Sequence, residues 1–416
     1  MYRQEAFGLT EVTWLVNVKL ETGNRVSDNG TIETETGLHV LKVVDGVIEE
    51  IHDSESSIER AGKKIDMKGQ LAVPPLKEMH NHLDKTYMTL DWKAVTPVAN
   101  LTERLQHEAA ELKVLADSTE QRAKKMIETL LSHGVTHIRT HVNIDPYIGL
   151  KNLEGVKAAL QSYEGIMTHE IVAFPQHGLL RDNVPALMRE AMRSGATMIG
   201  GLDPAGIDKS IERSLDEIMA LATEFDADVD IHLHDGGMVG YYTADKWIDM
   251  VKDAGYKGRT ALSHSFCLGD VAIAQQKKIA ERLAEEDVAI MSTVPINLNR
   301  TLPPIDLLNA AGVRVQFGCD GFYDSWSPYG TGDVLEKVTR FGELSRKIDE
   351  KSLRSSLRFA TNGITPLNEQ GQYIWPAVND PADFVFFDAS STAEVVARKP
   401  QERVVMVKGK IVSPSQ

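Results

Sequence analysis

The sequence predicts an α/β chain: a (β/α)8 TIM barrel with a small β-sandwich domain formed from both termini. Three observations predict it. Eight short apolar or β-branched runs alternate with stretches of helical periodicity. Polar, reactive residues recur at the C-terminal ends of those runs, where such a barrel places its chemistry. No Gly-x-Gly-x-x-Gly follows a first strand, which disfavours an open doubly wound sheet. At 416 residues the chain is too long for one small domain and suits one large barrel with an added module.

Taken in order, residues 1–68 hold the extended runs Trp14–Leu20 and His39–Val44, and Asp45-Gly46 is a turn signal before Val47–Ile51. The barrel spans 69–374 and opens with Pro75–Lys85, an apolar run carrying His80-Asn81-His82. Its other strands are expected at Val135–Ile144, Glu170–Gln176, Thr197–Leu202, Val229–Asp235, Thr260–His264, Val288–Val294 and Val313–Asp320. Between them Glu120–His133, Leu215–Phe225 and Asp270–Glu286 are rich in Ala, Leu, Glu, Lys and Gln, with apolar residues at helical spacing. Residues 375–416, with Ala382–Asp388 and Val404–Val412, return to β character and complete the terminal domain with 1–68.

Composition excludes several function classes. A net charge of −15 and a pI of about 5.4, with no basic cluster, argue against nucleic acid as a partner. No apolar stretch approaches the roughly 20 residues of a membrane helix. Met1-Tyr2-Arg3-Gln4-Glu5 lacks the basic-then-apolar order of a signal peptide, so a cytoplasmic protein with no membrane partner is expected. Cys267 and Cys319 are the only cysteines; they form no disulfide framework and read as buried thiols.

The chemistry lies at the strand ends. On a strand, residues i and i+2 share a face, so His80 and His82 reach one point in space. Alone, such a pair is commonly two satisfied polar residues. Here His232 ends the fifth strand, His264 the sixth and Asp320 the eighth, so residues far apart in sequence converge on one mouth. Several neutral imidazoles, a carboxylate and an open position for water are what a mononuclear hydrolytic metal site needs.

The runs Glu78–Asp84, His137–Val142, Ile171–Gln176, Leu262–His264 and Phe317–Asp320, with Trp326 and Pro328-Tyr329-Gly330, resemble the cytosine deaminase branch of the amidohydrolase superfamily. The resemblance runs in order from about Leu71 to Gly332 and extends to enzymes of the N-isopropylammelide isopropylaminohydrolase type. Asp380–Phe384 looks like the family's return to its terminal β-domain. The resemblance implies that His80, His82, His232 and Asp320 bind one divalent metal ion, zinc or iron. It implies that His264 orients the attacking hydroxide and the substrate, that Gln176 hydrogen-bonds the substrate ring, and that Asp320 also takes the proton from water. The implied activity is removal of ammonia or an alkylamine from a ring carbon of a small pyrimidine- or triazine-like heterocycle. Barrels of this superfamily often self-associate, making a homo-oligomer a further expectation.

Two positions depart from cytosine deaminases. Their glutamate three residues after the fifth-strand histidine is here Asp235, a shorter arm for passing protons to the ring. Their second acid, directly after the metal-binding aspartate, is here Gly321, so the pocket is expected to lack a carboxylate. His234 lies on the same strand face as His232 and is open to three roles besides support: acid/base, substrate donor or ligand. His141 is expected to support the metal without binding it, Asp84 to brace the first strand, and Lys85 to pair with an acid. Trp326 and Tyr329 are expected either to close over a flat ring or to pack their loop. Two alternatives keep the barrel: a hydrolase that opens a cyclic amide or amidine in the same site, and a non-catalytic binding protein.

Overall fold

The computed structural model describes residues 11–53 and 62–412. These fall into two compact units. One draws on the chain up to Leu76, on Leu131–Thr136 and on the chain from Val338 onward; the other spans Lys77–Leu130 and His137–Lys337.

In the first unit, β1 (Val12–Val26), β2 (Ile32–Val44) and β3 (Val47–His52) form an antiparallel run, and β4 (Lys63–Asp66) and β5 (Leu71–Val73) pair parallel to β1. The Asp45-Gly46 signal is a two-residue hairpin loop. Both residues have positive φ, 49° and 84°, and Val44 pairs with Val47, the requirement of a primed turn that glycine meets without strain.

The barrel strands are β6 (Leu76–Asn81), β7 (Val135–Asn143), β8 (Thr168–Phe174), β9 (Met198–Leu202), β10 (Asp228–Leu233), β11 (Thr260–His264), β12 (Ala289–Ser292) and β13 (Val315–Phe317). They hydrogen-bond in the order β13-β12-β11-β10-β9-β8-β7-β6, the eight-stranded parallel sheet of a (β/α)8 barrel. The end strands meet at a seam held by the His80 carbonyl, which accepts from the Asp320 amide at 2.8 Å, and by the buried Glu78 carboxylate, which accepts from the amides of His80 (3.1 Å) and Cys319 (2.9 Å). Gly318 is required there, because a Cβ would come within 2.4 Å of the His80 amide nitrogen. Finally β14 (Phe384–Phe387), β15 (Arg403–Val407) and β16 (Lys410–Ile411) extend the first unit's sheet to the order β16-β15-β14-β5-β1-β2-β3. Leu15, Leu41, Phe384, Phe386 and Met406 bury one core within that unit.

The last two barrel strands are shorter than expected because the backbone turns left-handed after each, at Val294 (φ 42°) and Asp320 (φ 65°). The expected Asp270–Glu286 helix is two, Cys267–Asp270 and Ile273–Glu285, separated by extended Val271 and Ala272; the Gln275 side chain accepts from the Ala272 amide and restarts the helix. Helix Leu101–Leu115 lay outside the expected elements. Its signal was Asn100, whose side chain caps the Glu103 amide at 3.0 Å. Cys267 and Cys319 are both buried and unbridged. Among the described residues no helix is long and apolar enough to cross a membrane.

Candidate metal centre and substrate cavity

The strand ends bring five side chains to one point. His80 and His82 leave β6 on the same face, His232 comes from β10, His264 ends β11 and Asp320 follows β13. The Nε2 atoms of His82 and His232 lie 3.4 Å apart, and Asp320 Oδ1 lies 3.5 Å from His82 Nε2 and 3.8 Å from His80 Nε2. Asp320 Oδ2 is 4.0 Å from His264 Nε2. His264 (φ 66°), Ser265 (φ 48°) and Asp320 (φ 65°) all adopt the left-handed region, at a cost of about 1 kcal/mol or more each, as is common where a site over-determines its backbone.

Hydrogen bonds fix which nitrogens face inward. Ser263 Oγ donates to Asp230 Oδ1 at 2.6 Å, so it accepts from His80 Nδ1–H at 2.8 Å, and the lone pair of His80 falls on Nε2. Asp230 is held in turn by Arg139 Nη1 at 3.0 Å. His82 Nδ1–H donates to the His141 carbonyl at 3.1 Å, which again leaves Nε2 as the inward lone pair. Burial, ahead of any neighbouring charge, lowers the imidazoles of His80, His82, His232 and His264 below their usual range and keeps them neutral.

This donor set fits a divalent cation. His80 Nε2 and His264 Nε2 are buried without a hydrogen-bond partner, a costly state in a packed interior that an ion relieves. Two tetrahedral ligands at zinc–nitrogen distances of about 2.0–2.1 Å stand roughly 3.3 Å apart, close to the observed His82–His232 spacing. Among the described residues two overlapping trios place one donor atom each within 4.8 Å of the others: His80, His82 and Asp320, and His80, His141 and His232. His141, read from sequence as a supporting residue, thus stands in the second trio; its Nε2 also faces Asp230 Oδ2 at 3.8 Å.

Two chambers open from this cradle and share Gln176, Leu202, His234, His264, Asp320 and Trp326 in their walls. The inner one, about 160 Å³, adds His82, Lys85, Phe174 and Asp324. The outer one, about 310 Å³, adds Ile207, Phe266, Pro295 and Arg300.

His234 faces both chambers, its ring stacked on His264 at 4.3 Å between centroids. Its Nδ1–H donates to Asp203 Oδ2 at 3.0 Å, which leaves Nε2 free to exchange a proton. Burial raises the Asp203 carboxyl, but the His234 charge and the bonds from the His234 side chain and the His234 and Asp235 amides outweigh it and leave it lowered. Asp203 had escaped the sequence reading, although it stands directly after the fourth strand, the position that yielded the other candidates. Asp235, expected to pass protons, lines neither chamber: its Oδ2 accepts from the amides of Ala205 (3.0 Å) and Gly206 (3.2 Å).

Around the inner chamber, Lys85 is buried, pairs with Glu108 at 3.1 Å and donates to Gln176 Oε1, which turns the Gln176 amide nitrogen into the free donor. Trp326 Nε1–H donates to the same Glu108 at 2.8 Å and sets the indole as a chamber wall, while Tyr329 is 81% exposed and lines neither chamber. Asp84 braces the first strand as expected, accepting from the Asn143 amide and the Asn152 side chain, each at 2.9 Å. The carboxylate expected to be missing at Gly321 is present in space. A Cβ on residue 321 would come within 2.2 Å of Asp324 Oδ2, so glycine makes room for an acid three residues later. Burial raises the Asp324 carboxyl to about 7.

Comparison with known proteins agrees with this geometry. A family model described as the amidohydrolase family matches residues 63–413. The uncharacterized protein YahJ of Escherichia coli (strain K12) is 38% identical over 402 residues, covering 96% of this chain and 87% of that protein. Among solved structures, N-isopropylammelide isopropylaminohydrolase from Burkholderia multivorans ATCC 17616 superposes with a TM-score of 0.84 at 29% identity, covering 97% of this chain and 98% of that one. The 5-methylcytosine deaminase from Klebsiella pneumoniae gives 0.79 at 26% identity, with 96% and 97% covered.

Proposed function

The chain belongs to the amidohydrolase family, and we propose that it is a metal-dependent aminohydrolase: it removes ammonia or an alkylamine from a ring carbon of a small pyrimidine- or triazine-like heterocycle. The observation that carries this reading is the placement of the His234–Asp203 pair on the chamber wall beside the imidazole and carboxylate cradle. A proton donor for a leaving nitrogen thus stands next to the point where water is activated. The similarity to an isopropylaminohydrolase and a 5-methylcytosine deaminase supports the same class of C–N bond.

His80, His82, His232 and Asp320 would hold the ion. A divalent metal there supplies a water whose pKa approaches neutrality. The rest falls to the chain. Asp320 accepts a proton as the water oxygen bonds to the ring carbon, and His264 orients that water and the substrate. Protonated at both nitrogens beside the Asp203 carboxylate, His234 delivers its Nε2 proton to the exocyclic nitrogen as the C–N bond breaks, and the proton taken up by Asp320 restores it through solvent. The amine leaves neutral, and the ring carbon keeps the oxygen. Gln176 Nε2 and Asp324 present a donor and an acceptor to the ring edges, and Phe174 and Trp326 present apolar faces.

The test is amine release by metal-replete protein from a panel of amino- and alkylamino-substituted pyrimidines, triazines and pterins, followed by mass spectrometry. Exchange of an amine for oxygen is expected. Addition of one water without loss of amine marks the ring-opening alternative, and no turnover across the panel removes the aminohydrolase reading.

A further inference from the structure

The outer chamber is larger than a bare heterocycle seated against the cradle requires, and its walls differ in character along its length. Beside His234 and His264 it is lined by apolar Leu202, Ile207, Phe266 and Pro295 together with polar Asp203, Thr293 and Asn297, and by Arg300. The Arg300 guanidinium lies over the Phe266 ring, 4.9 Å from its centroid, and Phe266 in turn stands 5.6 Å from the His264 ring. Among the described residues Arg300 has no ion-pair or hydrogen-bond partner for its guanidinium. The other two cations near the site are engaged, Lys85 with Glu108 and Gln176, and Arg139 with Asp230 and Glu170. Arg300 stands in the exposed stretch 296–300, and its guanidinium rests on an aromatic face at the edge of the cavity. Planar, delocalised guanidinium on an aromatic ring is pre-positioned for a two-pronged hydrogen bond to a carboxylate.

We propose that the substrate is an anion: a flat nitrogen heterocycle carrying a short apolar substituent that ends in a carboxylate, bound by Arg300 at the outer end of the cavity. This rests on the aminohydrolase reading and narrows it to a substrate class. The ring occupies the inner chamber, the substituent passes His234 along Ile207 and Phe266, and the acid pairs with Arg300. Because the passage begins at the two histidines that flank the departing nitrogen, a substituent on that nitrogen takes the route most directly. Water then bonds to the ring carbon, the C–N bond breaks, and the released amine carries the carboxylate as an amino acid.

The experiment uses two alkylamino-triazines that differ only at the end of a propylamino substituent, carboxylate in one and carboxamide in the other. Both are assayed with the wild-type holoenzyme and with Arg300→Gln and Arg300→Lys. The expected result is a kcat/KM for the carboxylate about tenfold or more above that for the carboxamide, expressed in KM, as a charge-assisted hydrogen bond at a half-open site would give. That ratio falls to near one in Arg300→Gln and returns in part in Arg300→Lys. Equal values in the wild type, or a ratio unmoved by Arg300→Gln, overturns the proposal while leaving the aminohydrolase reading intact. If neither triazine turns over, calorimetric binding of the two compounds to the same three proteins reads the Arg300 preference directly: a preference that Arg300→Gln abolishes upholds the anion site, and its absence removes it.

Discussion

The cradle and the outer chamber sit side by side and are built by opposite means. In the cradle the donors stand on or next to barrel strands, the imidazoles are buried, and those of His80 and His82 have their free nitrogen chosen by the residues behind them: Ser263 and Asp230 behind His80, the His141 carbonyl behind His82. The outer chamber shares the strand-end residues Leu202 and His264 but adds walls from loops and helix starts. Leu101 begins a helix, Phe266 precedes one, and Pro295, Asn297 and Arg300 lie in a loop after β12. The contrast teaches where each kind of information resides. On the proposed function, water activation would be carried by a scaffold with little freedom and substrate choice by segments that can change without disturbing the barrel.

Breaking the cradle should have the largest effect. His232→Ala removes a proposed ligand, and bound metal measured by elemental analysis is expected to fall together with activity by at least about a thousandfold, or about 4 kcal/mol of transition-state stabilisation. Retention of both metal and activity would remove His232 from the ligand set and leave the ion to the trio of His80, His82 and Asp320. Next comes the wall shared by the two chambers. His234→Ala should leave metal content unchanged and lower kcat by about 10²–10⁴, the usual worth of a positioned acid/base. Asp203→Asn should follow it in direction but not in size, and a metal loss in either variant would show that His234 belongs to the cradle instead. Smallest is Ser263→Ala, which touches neither substrate nor ion. Loss of the bond that fixes the His80 tautomer should weaken metal affinity by about 10–100-fold, measured by chelator competition, with kcat at saturating metal nearly preserved.

Legibility from sequence follows the same division. His80, His82, His232, His264 and Asp320 could be read because strand alternation and strand ends leave a local signature: a short apolar run followed by a reactive side chain. The eight barrel strands were readable for the same reason, with boundaries off where Val294 and Asp320 turn left-handed, a feature no local pattern announces. Asp235 was misplaced as a group facing the substrate because side-chain direction beyond a strand end is set by what the next loop offers, here the amides of Ala205 and Gly206. Asp324 was missed because it takes up the space that the absent side chain of Gly321 leaves, a relation between two loop positions that exists only once the loop is folded. Glu108 was missed with its helix, whose mixed polarity hides the one face that meets Lys85 and Trp326.

The seam of the barrel lies between two of the residues that face the cradle. The Asp320 amide binds the His80 carbonyl, while the side chains of the same two residues point at the same space with Nε2 and Oδ1 3.8 Å apart. A cation bridging those side chains would act as a clasp on the ring of strands, joining first to last across the place where the ring is shut. Ion occupancy and ring closure would then be one equilibrium viewed from two ends. Stripping the ion should accordingly be felt first as faster amide exchange along β6 and β13, with the strands on the opposite side of the barrel still protected.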